Sequence, residues 1–123
     1  MEKILHKELS YKLCGLCFKT HNDLGPFRSE KTYGDYLEQL LASSSLNFLR
    51  ESPLPPSFEG EGTRRNIPDF IIDNKIILDI KAKRIISKED YFQMKRYLSA
   101  SGKNLGLIVN FRQKYISPKR VVN

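Results

Sequence analysis

Asp79 and Lys81 stand two residues apart in Ile76-Ile77-Leu78-Asp79-Ile80-Lys81, a run that is otherwise apolar. Side chains alternate along a strand, so Ile77, Asp79, Lys81 and Lys83 point one way while Ile76, Leu78, Ile80 and Ala82 point the other. The second set can fill a core. A carboxylate and an ammonium on the first face are costly near apolar neighbours unless they are paired, hydrated or bound to a metal. That cost points to a functional site. Upstream, Asp69 precedes a second β-rich run, Phe70-Ile71-Ile72, and Asp73-Asn74 between the runs tolerate the positive φ angles of a tight hairpin turn. Residues 66–81 therefore read as two strands joined by a turn.

At 123 residues the chain is long enough for one domain with a sheet and a few helices. The net charge of +7 favours a polyanionic partner, although many basic domains bind no nucleic acid. No apolar run is long enough to cross a bilayer and no secretory h-region follows Met1, so a cytoplasmic protein without membrane association is expected. There is no internal repeat or low-complexity segment.

The elements that must hold the hairpin can be placed from apolar spacing. From about Ile4 to Asn22, Leu9, Leu13, Leu16, Cys17 and Thr20 recur at helical intervals, and Leu24-Gly25-Pro26 stops the helix. Cys14 and Cys17 form a Cys-x-x-Cys, but structural zinc wants four ligands and only His6 and His21 remain, so inert reduced thiols are expected. His21 reads as a polar group near the helix end. A second helix runs from an N-cap at Ser29 to about Ser43, with Tyr33, Tyr36, Leu37, Leu40 and Leu41 on its inward stripe. Glu30 falls about 60° from Tyr33 and Glu38 about 140° away, which favours Glu30 as the acid looking toward the sheet and sends Glu38 to solvent. Glu30 in the first turn also complements the helix dipole, and that position alone does not require catalysis.

Leu46 to Ser52 suggests a short strand, and Pro53-Leu54-Pro55-Pro56, lacking backbone donors, places it at an edge. Phe58 to Arg65 is turn-rich and charged, a loop in which Arg64 and Arg65 either grip phosphates or remain solvated. A third helix is expected from Ser87 to Ser101, closed by Gly102, with Gln93 and Tyr97 on one face beside Asp90 and Met94. Lys88, Lys95, Arg96 and Lys103 make that region basic. Leu105 to Phe111 has the composition of a buried central strand, and the tail from Tyr115 adds one more edge strand.

Pro68-Asp69, a strand turn, then Asp79-Ile80-Lys81 resembles the signature of the PD-(D/E)XK nuclease superfamily. The order of elements, with Glu30-x-x-Tyr33 opening the second helix and Gln93-x-x-x-Tyr97 on the third, resembles its compact RecB-like members named for a G-x-x-E-x-x-x-R pattern. The resemblance spans about Leu9 to Val121. It implies an α/β fold with a restriction-endonuclease-like core, a central mixed β-sheet with a catalytic hairpin flanked by helices. It also implies Mg²⁺ or Mn²⁺ at Asp69, Asp79 and the Ile80 carbonyl, with Glu30 assisting, oxygen donors being what hard cations prefer. Lys81 is then the catalytic lysine, and Gln93 and Tyr97 support it or touch substrate. The expected function is metal-assisted hydrolysis of phosphodiester bonds in DNA, with Arg64, Arg65, Lys83, Lys95 and Arg96 contacting the nucleic acid. Phe27 stands where the pattern begins with glycine, and Ile67 where relatives often carry arginine. The rival reading is a non-catalytic nucleic-acid-binding module or accessory subunit on the same fold, and dimerisation could enlarge its groove.

Overall fold

In the computed structural model of the chain, which describes residues 4–62 and 64–123, the hairpin turns at Asp73 and Asn74 with φ of 50° and 55°. Both central residues are left-handed, as a two-residue turn matching strand twist requires, and the Lys75 N–H donates to the Ile72 carbonyl at 2.9 Å. The turn joins β2 (Phe70–Ile72) to β3 (Ile76–Lys81) in antiparallel register, Phe70 opposite Leu78 and Ile72 opposite Ile76. Met1 to Lys3 and Thr63 lie outside the described residues, so the loop expected over 58–65 is described on either side of Thr63 only.

The helices are α1 (Lys7–Leu24), α2 (Glu30–Ala42) and α3 (Lys88–Ser101). The remaining strands are β1 (Phe48–Arg50), β4 (Leu105–Asn110) and β5 (Lys119–Val122). The sheet order is β1-β2-β3-β4-β5, with β3 and β4 parallel and every other neighbour antiparallel. A parallel pair needs a crossover, and α3 supplies it. This is the central mixed sheet with flanking helices expected from the sequence.

Alternation on β3 divides the core in two. Ile76, Leu78 and Ile80 pack with Leu105, Leu107 and Val109 against Leu13 and Cys17 of α1 and Tyr33, Leu37 and Leu41 of α2. Ile77 and Ile108 face Met94, Tyr97 and Leu98 of α3. Because β4 is covered on both faces, all six of its residues are buried. At Gly106 an added Cβ would lie 2.3 Å from Met94 Sδ, so the missing side chain is what lets α3 approach the sheet.

Two elements are bounded differently from sequence expectation. α1 begins at Lys7, because His6 is left-handed with φ 48° and cannot continue a helix backwards. β1 is trimmed to three residues, since Glu51 has φ 52° and turns the chain out of the sheet before Pro53. The Pro-rich segment then runs beside the hairpin, the Leu54 N–H donating to the Asn66 carbonyl at 2.8 Å. The tail does form an edge strand, β5, antiparallel to β4. Both cysteines are free, Cys17 buried and Cys14 half-buried, and burial pushes both thiols up, away from the reactive thiolate.

Candidate active site

One step beyond the Phe70–Leu78 pair, the β2–β3 register sets Asp69 opposite Asp79. The two carboxyl groups come within hydrogen-bonding reach, and Asp69 Oδ2 also accepts the Ile80 backbone N–H at 2.7 Å. Burial first, and then the charge of Asp79, hold the Asp69 carboxyl well above the ordinary carboxylate range. Two acids in contact, Asp79 buried and Asp69 half-buried, repel once both ionise, so the pair favours a shared proton or a cation. The oxygen donors on hand, Asp69, Asp79 and the Ile80 carbonyl, have the chemistry of a hard divalent ion's ligands.

Lys81, next on the same face of β3, donates to Asp79 Oδ2 at 2.8 Å and to Gln93 Oε1 at 3.0 Å. Burial works to lower its ammonium, but the charge and hydrogen bond of Asp79, together with the charges of Asp90 and Asp69, outweigh it and hold the lysine above its usual range. The Tyr97 hydroxyl donates to the Ile67 carbonyl at 3.2 Å. Burial, reinforced by the charges of Asp79 and Asp69, pushes that phenol up, so it remains a donor. Asp69, Asp79, Lys81, Gln93 and Tyr97 are thus brought to one place.

Local chemistry fixes α3 above them. Ser87 caps the helix and Asp90 closes the capping box, its Oδ2 accepting the Ser87 N–H at 2.8 Å. The same carboxylate receives the Lys83 ammonium and lies 3.8 Å from that of Lys81. Asn110, buried at the end of β4, donates to the Lys83 carbonyl at 2.7 Å and accepts the Lys83 N–H at 3.1 Å, pinning the segment that leaves β3. Sequence reading gave neither Asp90 nor Asn110 a role at the site. A capping-box acid on an element that follows two lysines, and a polar residue ending a buried strand, were the available signals.

On the α2 side a cleft of about 550 Å³ opens beside Asp69 and Ile80. It is lined by Glu30, Lys31, Gly34, Asp35 and Glu38 of α2 and by Arg50 and Glu51. Glu30 lines this cleft with Asp69 but is exposed, so the acid expected to look toward the sheet is the more open of the two, and among the described residues no three His, Cys, Asp or Glu side chains converge as a metal cage. The expectation that Glu38 faces solvent is corrected: Glu38 lines the same cleft and accepts from Arg50 at 2.6 Å. The angular reading was referenced to the buried stripe through Tyr33, whereas the cleft runs along the flank where Glu30, Gly34 and Glu38 stack at four-residue intervals.

Arg50 and Asp35 were missed. The Arg50 guanidinium donates to Asp35 at 2.7 Å, lies 5.7 Å over the Phe70 ring, and passes so close to Gly34 that a Cβ there would sit 2.6 Å away. The signal was an arginine ending a short apolar strand, which must find partners if it turns inward. The basic residues singled out from sequence are dispersed. Arg64 and Arg65 are exposed, Arg65 at 3.8 Å from Glu61. Lys83 is engaged by Asp90, Lys95 donates to the Val122 carbonyl of β5 at 2.7 Å, and Arg96 is exposed. His21 is buried with Nε2 at 2.7 Å from the Gln113 carbonyl, a structural contact near the helix end.

A five-stranded mixed sheet with an acidic hairpin and a lysine on the hairpin's second strand is a restriction-endonuclease-like core, the architecture of a phosphodiester-cleaving class. The family model of the PD-(D/E)XK nuclease superfamily matches residues 7–121, and the chain belongs to that superfamily. No curated protein and no solved structure matches the chain. Superfamily members are generally nucleases and typically use divalent metals. The G-x-x-E-x-x-x-R pattern is not carried, since Phe27 and Gly34 stand at its two ends. Among the described residues no helix is long and apolar enough to cross a membrane.

Proposed function

We propose that this chain, as one domain, is a RecB-like, Mg²⁺- or Mn²⁺-dependent nuclease that hydrolyses phosphodiester bonds in DNA. The observation that carries the reading is the Asp69–Asp79 carboxyl pair with Lys81 at 2.8 Å from Asp79. Nothing in packing calls for two touching acids and a lysine on one largely enclosed face, and replacing them by apolar residues would relieve the desolvation cost.

Asp69, Asp79 and the Ile80 carbonyl hold the ion, which when bound supplies Lewis acidity toward phosphate and lowers the pKa of water. Lys81, steadied by Gln93, presents its ammonium to the attacking water and to charge developing on the phosphate. Glu30, on the opposite wall of the cleft from the hairpin, accepts a hydrogen bond from water entering beside Asp69. Tyr97 holds the Ile67 carbonyl and with it the approach of Asp69 into β2. Arg64, Arg65 and Arg96 contribute charge toward the backbone of the nucleic acid, with Lys83 and Lys95 first having to leave their present partners. The protein acts in the cytoplasm, and a homodimer would extend the contact surface.

The test is cleavage of linear, circular and single-stranded DNA with Mg²⁺ or Mn²⁺, beside Asp79→Ala and Lys81→Ala. Both variants are expected to keep their circular dichroism spectra and lose cutting. Metal-independent cleavage surviving in both eliminates the site. A parent protein that binds DNA and cuts none of these substrates points to the binding module.

A further inference from the structure

Phe27 sits three residues before Glu30, in the connection between α1 and α2, and is 82 % exposed. A large aromatic left so open gains nothing from the core. Its ring is instead capped on one side by the Arg112 guanidinium, 5.7 Å from the centroid. Arg112 follows Phe111, whose N–H donates to the Lys81 carbonyl at 2.8 Å, so the cation–aromatic pair stands at the end of the sheet that carries the catalytic lysine. The same loop presents Tyr115, 78 % exposed, with the Lys114 ammonium 5.5 Å over its ring.

This rim is anchored to α1 and α2. The Gln113 carbonyl is fixed by His21, Phe111 stacks on Tyr33 with centroids 4.5 Å apart, and the Tyr33 hydroxyl accepts the Arg28 N–H at 3.1 Å. The cleft beside Asp69 has the opposite character: Glu30, Asp35, Glu38 and Glu51 against Lys31 and Arg50. A polyanion is repelled by that wall and attracted to the aromatic, cationic one.

We infer that the rim of Phe27, Arg28, Arg112, Lys114 and Tyr115 is a stacking platform for single-stranded nucleic acid, which leads unpaired bases to the site at Lys81. The inference rests on the nuclease reading and specifies its substrate class. Aromatic faces bind any base by stacking, while duplex DNA hides those faces in its own stack. Arg112 leaves the outer face of Phe27 open, and the interleaved cations reach the phosphates between bases.

The experiment is fluorescence anisotropy of a labelled 12-nucleotide DNA, single-stranded or as its duplex, in EDTA so that no cutting occurs. The single strand is expected to bind more tightly than the duplex. Phe27→Ala should weaken single-strand binding about tenfold with little change in the dependence on salt. Arg112→Gln should weaken it and also reduce the salt slope, by about 0.7 for one phosphate contact. Because Phe27 is exposed, its variant should melt with the parent, and a thermal scan checks that. Equal affinity of Phe27→Ala and parent for the single strand overturns the platform, as does tighter binding of duplex. Either result leaves the nuclease reading standing if the parent cuts and Asp79→Ala does not.

Discussion

The Lys81 ammonium donates to Gln93 Oε1 at 3.0 Å, tying the lysine of β3 to the helix that crosses above it. With Asp79 on its other side, the lysine has its direction set by two partners on different elements. Gln93→Leu removes one of them. A hydrogen bond to a charged group contributes about 1.5–3 kcal/mol, so kcat should fall about 10- to 100-fold. KM should stay near the parent value, and the pH–rate profile should shift as Lys81 loses its orientation. Equal losses in kcat and thermal stability would instead make Gln93 a packing residue.

Mg²⁺ or Mn²⁺ should raise the melting temperature of the parent, since an ion at about a hundred times its dissociation constant stabilises by about 2.7 kcal/mol. Asp69→Asn and Asp79→Asn should each abolish the response. In EDTA, Asp69→Asn should melt at or above the parent, because it retains an acceptor for the Ile80 N–H and relieves carboxylate repulsion. Differential scanning calorimetry with and without metal reads both effects. A metal response surviving in both variants moves the ion elsewhere.

Gly106→Ala should destabilise the fold by about 1–3 kcal/mol, the usual cost of overpacking a filled core. The new Cβ meets Met94 Sδ at 2.3 Å and Cγ at 2.7 Å, and Met94 is fully buried, so its side chain must shift within the core. Met94→Ala alone leaves a cavity, yet in the double variant the extra methyl has space. Urea unfolding of all four proteins should therefore give a double variant less destabilised than the sum of the singles.

Asp90 predicts the acid limb of stability. Burial acts to raise its carboxyl, but the Lys83 ammonium and the Ser87 N–H and hydroxyl outweigh it and hold the group below the ordinary range. A carboxyl depressed by folding contributes stability that is complete above the unfolded value of about 3.9 and disappears as pH falls through the folded value. Asp90→Asn should cost about 1 kcal/mol at pH 7 as the cap weakens. The gap between parent and variant should close below about pH 3. A gap of constant size from pH 7 to pH 3 would detach the capping carboxylate from acid stability.

What the sequence determined is what neighbours along the chain determine. Asp73-Asn74 set the hairpin because their backbone tolerance acts within the turn itself. Alternation then put Asp79 and Lys81 on one face and Ile76, Leu78 and Ile80 on the other, and the caps at Ser29 and Ser87 follow from groups three residues away. The acid–acid–lysine set was legible for the same reason, since the register of a two-residue hairpin fixes which positions oppose.

Only the tertiary structure decided how charges on different elements are shared. Lys83 and Lys95 looked like free phosphate contacts until Asp90 and the Val122 carbonyl took them up, and Glu38 looked solvated until Arg50 reached across Gly34 to meet it. Long side chains choose partners by distance in space, and helix periodicity reports only which stripe faces the core, not what stands beside its flank. The same holds for Phe27 and Arg112, far apart in sequence, whose cation–aromatic pairing exists because the loop after β4 closes on the end of α1.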